Sequence, residues 1–175
     1  MKGSSNPRKV AGAIAAVCRE RDAPVVSAIG AASIHRALIS LLFASGYLKD
    51  DGFELVFRAT LLREVGNDAV RLELSKVPVG TYSPPEDCMW LKVGSQTVPF
   101  KVAGALAHRM REKTAVGVIG LGRNAVKSMV KAAGALRQYV ADDKIDVVGH
   151  VSEELITVSE DEDKARAHRI YFAVA

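Results

Sequence analysis

Arg123, Lys127 and Lys131 fall four residues apart, the interval that stacks side chains on one face of a helix. They follow Gly120 and Gly122, residues that would leave the first amides of that helix bare, so the stripe could hold an anion such as phosphate. A second cationic group, Asn6, Arg8 and Lys9, stands near the start of the chain, and Lys101 repeats its place in the second half. Arg36, beside Ser33 and His35, makes a smaller patch. Contacts of this kind neutralise phosphates and hold a strand without reading its bases. The plainer alternative for the Arg123 stripe is a solvated face opposite Val126, Met129, Val130 and Ala133.

A rival motif overlaps the stripe. Val116 to Ala125 reads VGVIGLGRNA, a GxGxxA pattern where a strand gives way to a helix, which is the setting of a dinucleotide site. Such a site also needs an acidic residue ending the next strand. Here Asp142 and Asp143 precede that strand, so no cofactor is expected and the glycines read as a structural turn. His35, His108, His150 and His168 are scattered, and no Ser-His-acid order surrounds them. His35 reads as a surface or hydrogen-bonding histidine. Cys18 and Cys88 lack ligand-like spacing and read as free thiols. Neither a metal site nor an enzyme is expected.

The elements that must carry these residues occur twice. Lys9 to Ala13 reads KVAGA and so does Lys101 to Ala105; a repeat of about 90 residues denotes two modules of one fold. Arg19-Glu20 stands opposite Arg111-Glu112. Ile29-Gly30 aligns with Ile119-Gly120, which implies a second copy two residues shorter between these words. In the first copy Asn6-Pro7 signals a helix start, and Val10, Ala13, Ile14 and Val17 keep the helical period. A strand at Val25 to Ile29 leads into an apolar helix from Ala32 to about Ser45, with Gly46 as its stop. Alternation at Phe53, Leu55, Phe57 and at Val70, Leu72, Leu74 gives two paired strands around the Gly66-Asn67-Asp68 turn.

A short strand is expected before Asn6. The second copy reads as a strand at Met89 to Val93, a helix from about Val98 to Arg111, a strand at Ala115 to Ile119 and a helix from Arg123 to about Val140. Strands at Ile145 to Val151 and Arg169 to Val174 complete it. The predicted order is β-α-β-α-β-β, twice, with modules at 1–77 and 89–175. The connector 78–88, rich in proline, is stiff and extended. Trp90 and the phenylalanines are assigned to packing.

Of 175 residues, 49% are hydrophobic and 25% charged, with a formal net charge of +4, an ordinary balance for a globular protein. Lys and Arg exceed Asp and Glu by eleven to eight over 1–77 and by thirteen to ten over 89–175. Each module is therefore basic, which suits a polyanion partner. Ser159 to Asp163 (SEDED) is the exception and would repel phosphate. No run of 18 uncharged apolar residues and no signal-peptide pattern occurs, so the expectation is an intracellular protein, cytoplasmic or else nuclear or nucleoid-associated, without a membrane partner.

The words SNPRKVAGAIAAVCRER (Ser5 to Arg21), SAIGAAS (Ser27 to Ser33) and Gly46-Tyr47-Leu48 resemble the stage V sporulation protein S family, a branch of the Alba superfamily. VAGALAHRMRE and GRNAVK (Gly122 to Lys127) carry a weaker resemblance in the second module, the latter closer to Alba proteins proper. The resemblance implies two Alba-like βαβαββ modules, each a four-stranded mixed sheet with two helices on one face, packed as an intramolecular pseudo-dimer. It also implies RNA or DNA as ligand, met by the loop before the first helix, the start of the second helix and the arm between the last two strands. On this chain those regions supply Asn6, Arg8, Lys9 and Lys101, then Arg36, Arg123, Lys127 and Lys131. The alternative is a protein-interaction or scaffold module, with a protein partner or higher oligomer docked by the apolar second helix and the acidic turn.

Overall fold

The computed structural model describes residues 1–160 and 163–175. Helix α1 (Pro7–Glu20) starts where its sequence demands: the Asn6 carboxamide oxygen accepts the Arg8 and Lys9 amides, and Pro7 occupies the first turn. Strand β1 (Val25–Ile29) follows, then α2 (Ala31–Leu48). Helix α2 runs through Gly46 and ends in a short 3-10 turn closed by Gly52, whose φ of 83° is left-handed. The stop expected at Gly46 therefore lies six residues further on. Strands β2 (Phe53–Leu61) and β3 (Ala69–Pro78) form a hairpin.

The second half supplies β4 (Met89–Val93), α3 (Pro99–Arg111), β5 (Val116–Gly120), α4 (Arg123–Tyr139), β6 (Val147–Thr157) and β7 (Lys164–Val174). The last two strands are longer than their apolar cores predict. Polar Ser152 to Thr157 pairs with Lys164 to Arg169 and extends the hairpin as an arm. The acidic word Ser159 to Asp163 follows β6, and its residues 161 and 162 lie outside the described residues.

All seven strands belong to one sheet, in the order β1-β3-β2-β6-β7-β5-β4. Two separate four-stranded sheets were the expectation, and it is corrected on two points. Residues 1–5 form a turn rather than a strand, with the Met1 amine donating to the Ser27 carbonyl, so the first half contributes three strands. The halves also share hydrogen bonds, because β2 pairs with β6 through Val56 opposite His150 and Phe57 opposite Gly149. Read outward from that seam the order is the same on both sides, and β4 is the sole addition.

One buried cluster joins all four helices to alternate residues of the strands, including Ile14, Leu38, Phe57, Leu72, Leu106, Met129, Leu136 and Ile170. Two-residue alternation puts these positions on a single sheet face, and burying each large side chain contributes about 1.5–3 kcal/mol. Helix α2 is long and apolar enough to cross a membrane by length and composition. Its Ile34, Leu38, Leu41 and Leu48 are nonetheless buried in this cluster.

The repeat keeps one register. Arg19 reaches Asp51 at 2.8 Å and the Tyr47 carbonyl at 3.0 Å, while Arg111 reaches Asp143 at 2.8 Å and the Tyr139 carbonyl at 2.8 Å. Each member of the second set stands 92 residues after its counterpart. The same interval joins Gly30 to Gly122, which precede α2 and α4 at φ 84° and 86°. Nothing is therefore lost between the copies, and Ile29-Gly30 corresponds to Leu121-Gly122 rather than to Ile119-Gly120. The interval also relates two contacts that flank the seam, the Arg58–Asp146 ion pair at 2.7 Å and the His150–Glu54 hydrogen bond at 3.2 Å.

Candidate functional site

Helices α2 and α4 pack side by side. Each follows a glycine in the left-handed region, where an L side chain is strained, and neither has a side-chain cap. Their first amides therefore lack side-chain partners and carry the positive end of the helix dipole. At the start of α2, Arg36 and His35 meet Arg123 of the other copy around a cavity of about 360 Å³, completed by Gly3, Pro7, Ala32 and Ile39. Arg36 is oriented by donating to the Ser5 carbonyl at 3.1 Å. Arg123 is exposed. Two guanidinium groups beside an uncapped helix start form a surface suited to an oxyanion.

His35 stands edge-on to His168 of β7, with ring centroids 5.5 Å apart. Burial holds the His35 imidazolium below the ordinary histidine range, and the neighbouring charges of His168, Arg123 and Arg36 push the same way. Burial also lowers His168, opposed by Glu153. His168 Nδ1 is buried without a hydrogen-bond partner. Both rings are accordingly neutral at pH 7.

The remaining predicted residues separate. Arg8 lays its guanidinium 4.6 Å from the centre of the Phe43 ring, and Lys9 is exposed beside it. Asn6 spends its side-chain oxygen on the cap. Lys101 is exposed in the first turn of α3, away from this cavity.

The stripe on α4 is not the free face its spacing suggests. Lys127 and Lys131 both reach Asp68, in the β2–β3 turn of the first copy, at 3.4 and 2.8 Å. The Lys131 side chain is only 15% exposed. The hydrogen bond from Lys131, aided by its charge and that of Lys127, holds the Asp68 carboxyl below the usual carboxylate range. Of the three stripe residues, Arg123 alone faces the cavity.

A second, smaller recess of about 290 Å³ lies between Lys131 and the β2–β3 turn, with Arg63 placed 5.5 Å over the half-exposed Phe100 ring. Neither Arg63 nor Phe100 was expected at a surface site, and no spacing in the sequence joins them. Trp90 packs within the sheet, as expected. It lies over Gly117, where a Cβ would run into its ring, with the Arg169 guanidinium 4.8 Å away on the helix-free face of the sheet.

The glycines of the GxGxxA word have structural reasons: Gly122 takes the left-handed φ of 86°, and Gly120 is confined by packing. A Cβ on Gly120 would sit 2.8 Å from the Val93 carbonyl and 3.1 Å from the Ala125 methyl. Among the described residues, no three His, Cys, Asp or Glu side chains gather as metal ligands.

These features define a duplicated α/β protein whose copies share one sheet and bring their second helices together. The chain belongs to the Stage V sporulation protein S (SpoVS) family, whose model matches it over residues 1–71 and again over 89–174. Membership makes it a sporulation-related protein, and the two stretches make it a tandem member.

Proposed function

We propose that this is a non-enzymatic nucleic-acid-binding protein, a tandem Alba-like pseudo-dimer that holds RNA or DNA by its phosphates with little sequence preference. The observation that carries the reading is the cavity at the start of α2, where Arg36 of one copy and Arg123 of the other stand beside bare helix amides. Arg8 and Lys9 extend that surface, and Lys101 with Arg63 and Phe100 supplies a second one. Sheet order symmetrical about the seam supports the pseudo-dimer. Lys127 and Lys131 contribute less than Arg123, because Asp68 offsets their charge.

Fluorescence anisotropy with labelled single-stranded and duplex oligonucleotides tests it. Log affinity is expected to fall linearly with log salt between about 50 and 200 mM. Arg123→Glu should weaken binding and flatten that slope while leaving the circular dichroism spectrum intact. No binding at low salt, or binding indifferent to the charge reversal, overturns the reading.

A second reading, a scaffold that engages a protein strand, has one observation in its favour. Strand β1 is hydrogen-bonded to β3 on one side, and its Val25 and Ile29 are 57% and 59% exposed, whereas the corresponding β5 is covered by β4. An edge of this kind, met at the Ser27 carbonyl by the Met1 amine and otherwise unpaired among the described residues, can accept another strand once the first residues move aside. Light scattering that shows a stable oligomer, together with flat anisotropy, would favour it.

A further inference from the structure

The two ends of the seam are related by the repeat but built differently. At one end the Arg137 guanidinium donates to the Ala59 carbonyl at 3.0 Å and the Thr60 hydroxyl at 3.2 Å. Its charge also reaches Asp146. Leu61 closes the space against Gly134, where a Cβ would lie 2.9 Å from the leucine side chain.

At the other end each of these positions has a counterpart, 92 residues away. Ala59 and Thr60 correspond to Val151 and Ser152, and Asp146 corresponds to Glu54. Arg137, however, corresponds to Ser45, whose hydroxyl is occupied in accepting the Leu55 amide at 2.9 Å. Leu61 corresponds to Glu153. Leu42 stands where the filled end has Gly134, and beside it, where the guanidinium would be, a cavity of about 500 Å³ remains, lined also by Ser45, Glu54, Val151, Ser152 and Glu153.

We propose that this cavity is a binding site for a guanidinium group carried by another molecule. The wall repeats the positions that hold Arg137, and it adds a second carboxylate where the filled end has a leucine. Glu54 is 5% exposed and accepts the Gly80 amide with one oxygen while the other faces His150. It keeps lone pairs for a further donor. Glu153 is bridged to Arg166 at 3.0 Å, and the Ser152 hydroxyl accepts from Arg169 at 3.3 Å. The exposed Lys49 is the one lysine on the cavity wall. Phe43 and Tyr47 offer apolar surface for the aliphatic stem or for stacking by the planar fork. At the filled end one guanidinium nitrogen, Nη1, donates to both the carbonyl and the hydroxyl, so a guanidinium held in the same way here would keep its other donors for the two carboxylates, which a compact ammonium does not offer in a planar array. The ligand is either a small free guanidine or an arginine side chain of a polypeptide.

Isothermal titration calorimetry of the full chain with agmatine and with N-acetyl-arginine-N-methylamide tests the site. Putrescine and citrulline serve as the ammonium and uncharged controls. One or both guanidines should bind, with the controls weaker by about tenfold or more. Tighter binding of agmatine assigns the site to a small molecule, and tighter binding of the blocked arginine assigns it to a polypeptide.

Ser45→Arg places a guanidinium of the chain itself in the cavity and should abolish the heat of binding, though it gives up the hydrogen bond to the Leu55 amide. Glu153→Leu, which leaves the Ser45 hydrogen bond untouched, should weaken binding on its own and decides the matter if Ser45→Arg does not fold. No heat with either guanidine overturns the proposal, as does binding that persists unchanged in Glu153→Leu. Oligonucleotide affinity is a separate readout, governed by Arg123 on another surface.

Discussion

Phe57 and Gly149 are the same position of the repeat, and they face each other across the seam. They pair in the β2–β6 register, and a Cβ on Gly149 would lie 2.7 Å from the Phe57 ring. The antiparallel pairing of equivalent positions relates β2 to β6 by a local twofold at this point. On such an axis a side chain meets its own counterpart, so one large residue and one without a side chain fill the space that two phenylalanines could not.

Substitution at this pair is expected to be unequal. Gly149→Ala overpacks against an aromatic ring 1% exposed, and should cost about 1–3 kcal/mol. Phe57→Ala leaves a void at the seam and should cost about 3–5 kcal/mol. Combining Gly149→Ala with Phe57→Leu should recover part of the first loss. Urea denaturation measures these three and Phe57→Leu alone; additive losses of Gly149→Ala and Phe57→Leu in the double variant would refute the shared space.

Asp68 ties the β2–β3 turn to α4 through Lys127 and Lys131. Its carboxyl is held below the usual range, so its contribution to stability is present above about pH 4 and is lost as pH falls through its folded value. Asp68 is 37% exposed on its side chain, which limits that contribution to about 0–1 kcal/mol. The larger effect should be on binding. Asp68→Asn releases both lysines, and it is expected to raise oligonucleotide affinity and steepen the salt dependence. Lower affinity in this variant would argue that Asp68 orders the surface rather than masking it.

The His35 and His168 pair sets a second pH window. Burial depresses both, so folding favours their neutral forms. Stability is full above the unfolded value near pH 6.5 and declines as pH falls from there toward the folded values. His168→Gln should flatten that decline in a thermal-melt series between about pH 7.5 and 5. A phosphate beside Arg36 and Arg123 would favour protonated His35. Oligonucleotide affinity should therefore be higher at the lower pH, and His35→Asn should remove that gain.

The two arginine clamps offer a check on the repeat itself. Arg19→Ala and Arg111→Ala each remove an ion pair and a bond to a helix-end carbonyl. With both arginines about half exposed, each loss should be about 1 kcal/mol or less. Equal and additive shifts in a double variant are expected, since the clamps share no residue. A clear inequality would show that the copies are supported differently at their outer helices.

Much of each module was legible because its signals are local. Asn6-Pro7 capped α1 as its chemistry requires, and the alternation of Phe53, Leu55 and Phe57 gave β2. The alignment of the copies went astray at a single word. Ile119-Gly120 looks like Ile29-Gly30, but the left-handed φ belongs to Gly122, and backbone conformation rather than residue identity sets the correspondence. The partner of Lys127 and Lys131 was invisible for another reason. Helical period groups residues within α4, whereas Asp68 arrives from a turn 59 residues earlier. The seam was likewise beyond reach, since it depends on which strand edges meet. In the β6–β7 arm, Ser152 to Thr157 carries too little apolar alternation to announce a strand.

A homodimer must accept every mutation twice, once in each subunit. Joining the copies in one polypeptide lifts that restriction, and the unequal hairpins show the freedom in use: β6 and β7 have 11 residues each, against 9 and 10 in β2 and β3. A filament of nucleic acid laid across the two helix starts would meet a long arm on one flank and a short one on the other. The molecule thereby acquires polarity, and under the proposed function a filament laid one way would meet different contacts from one laid in reverse.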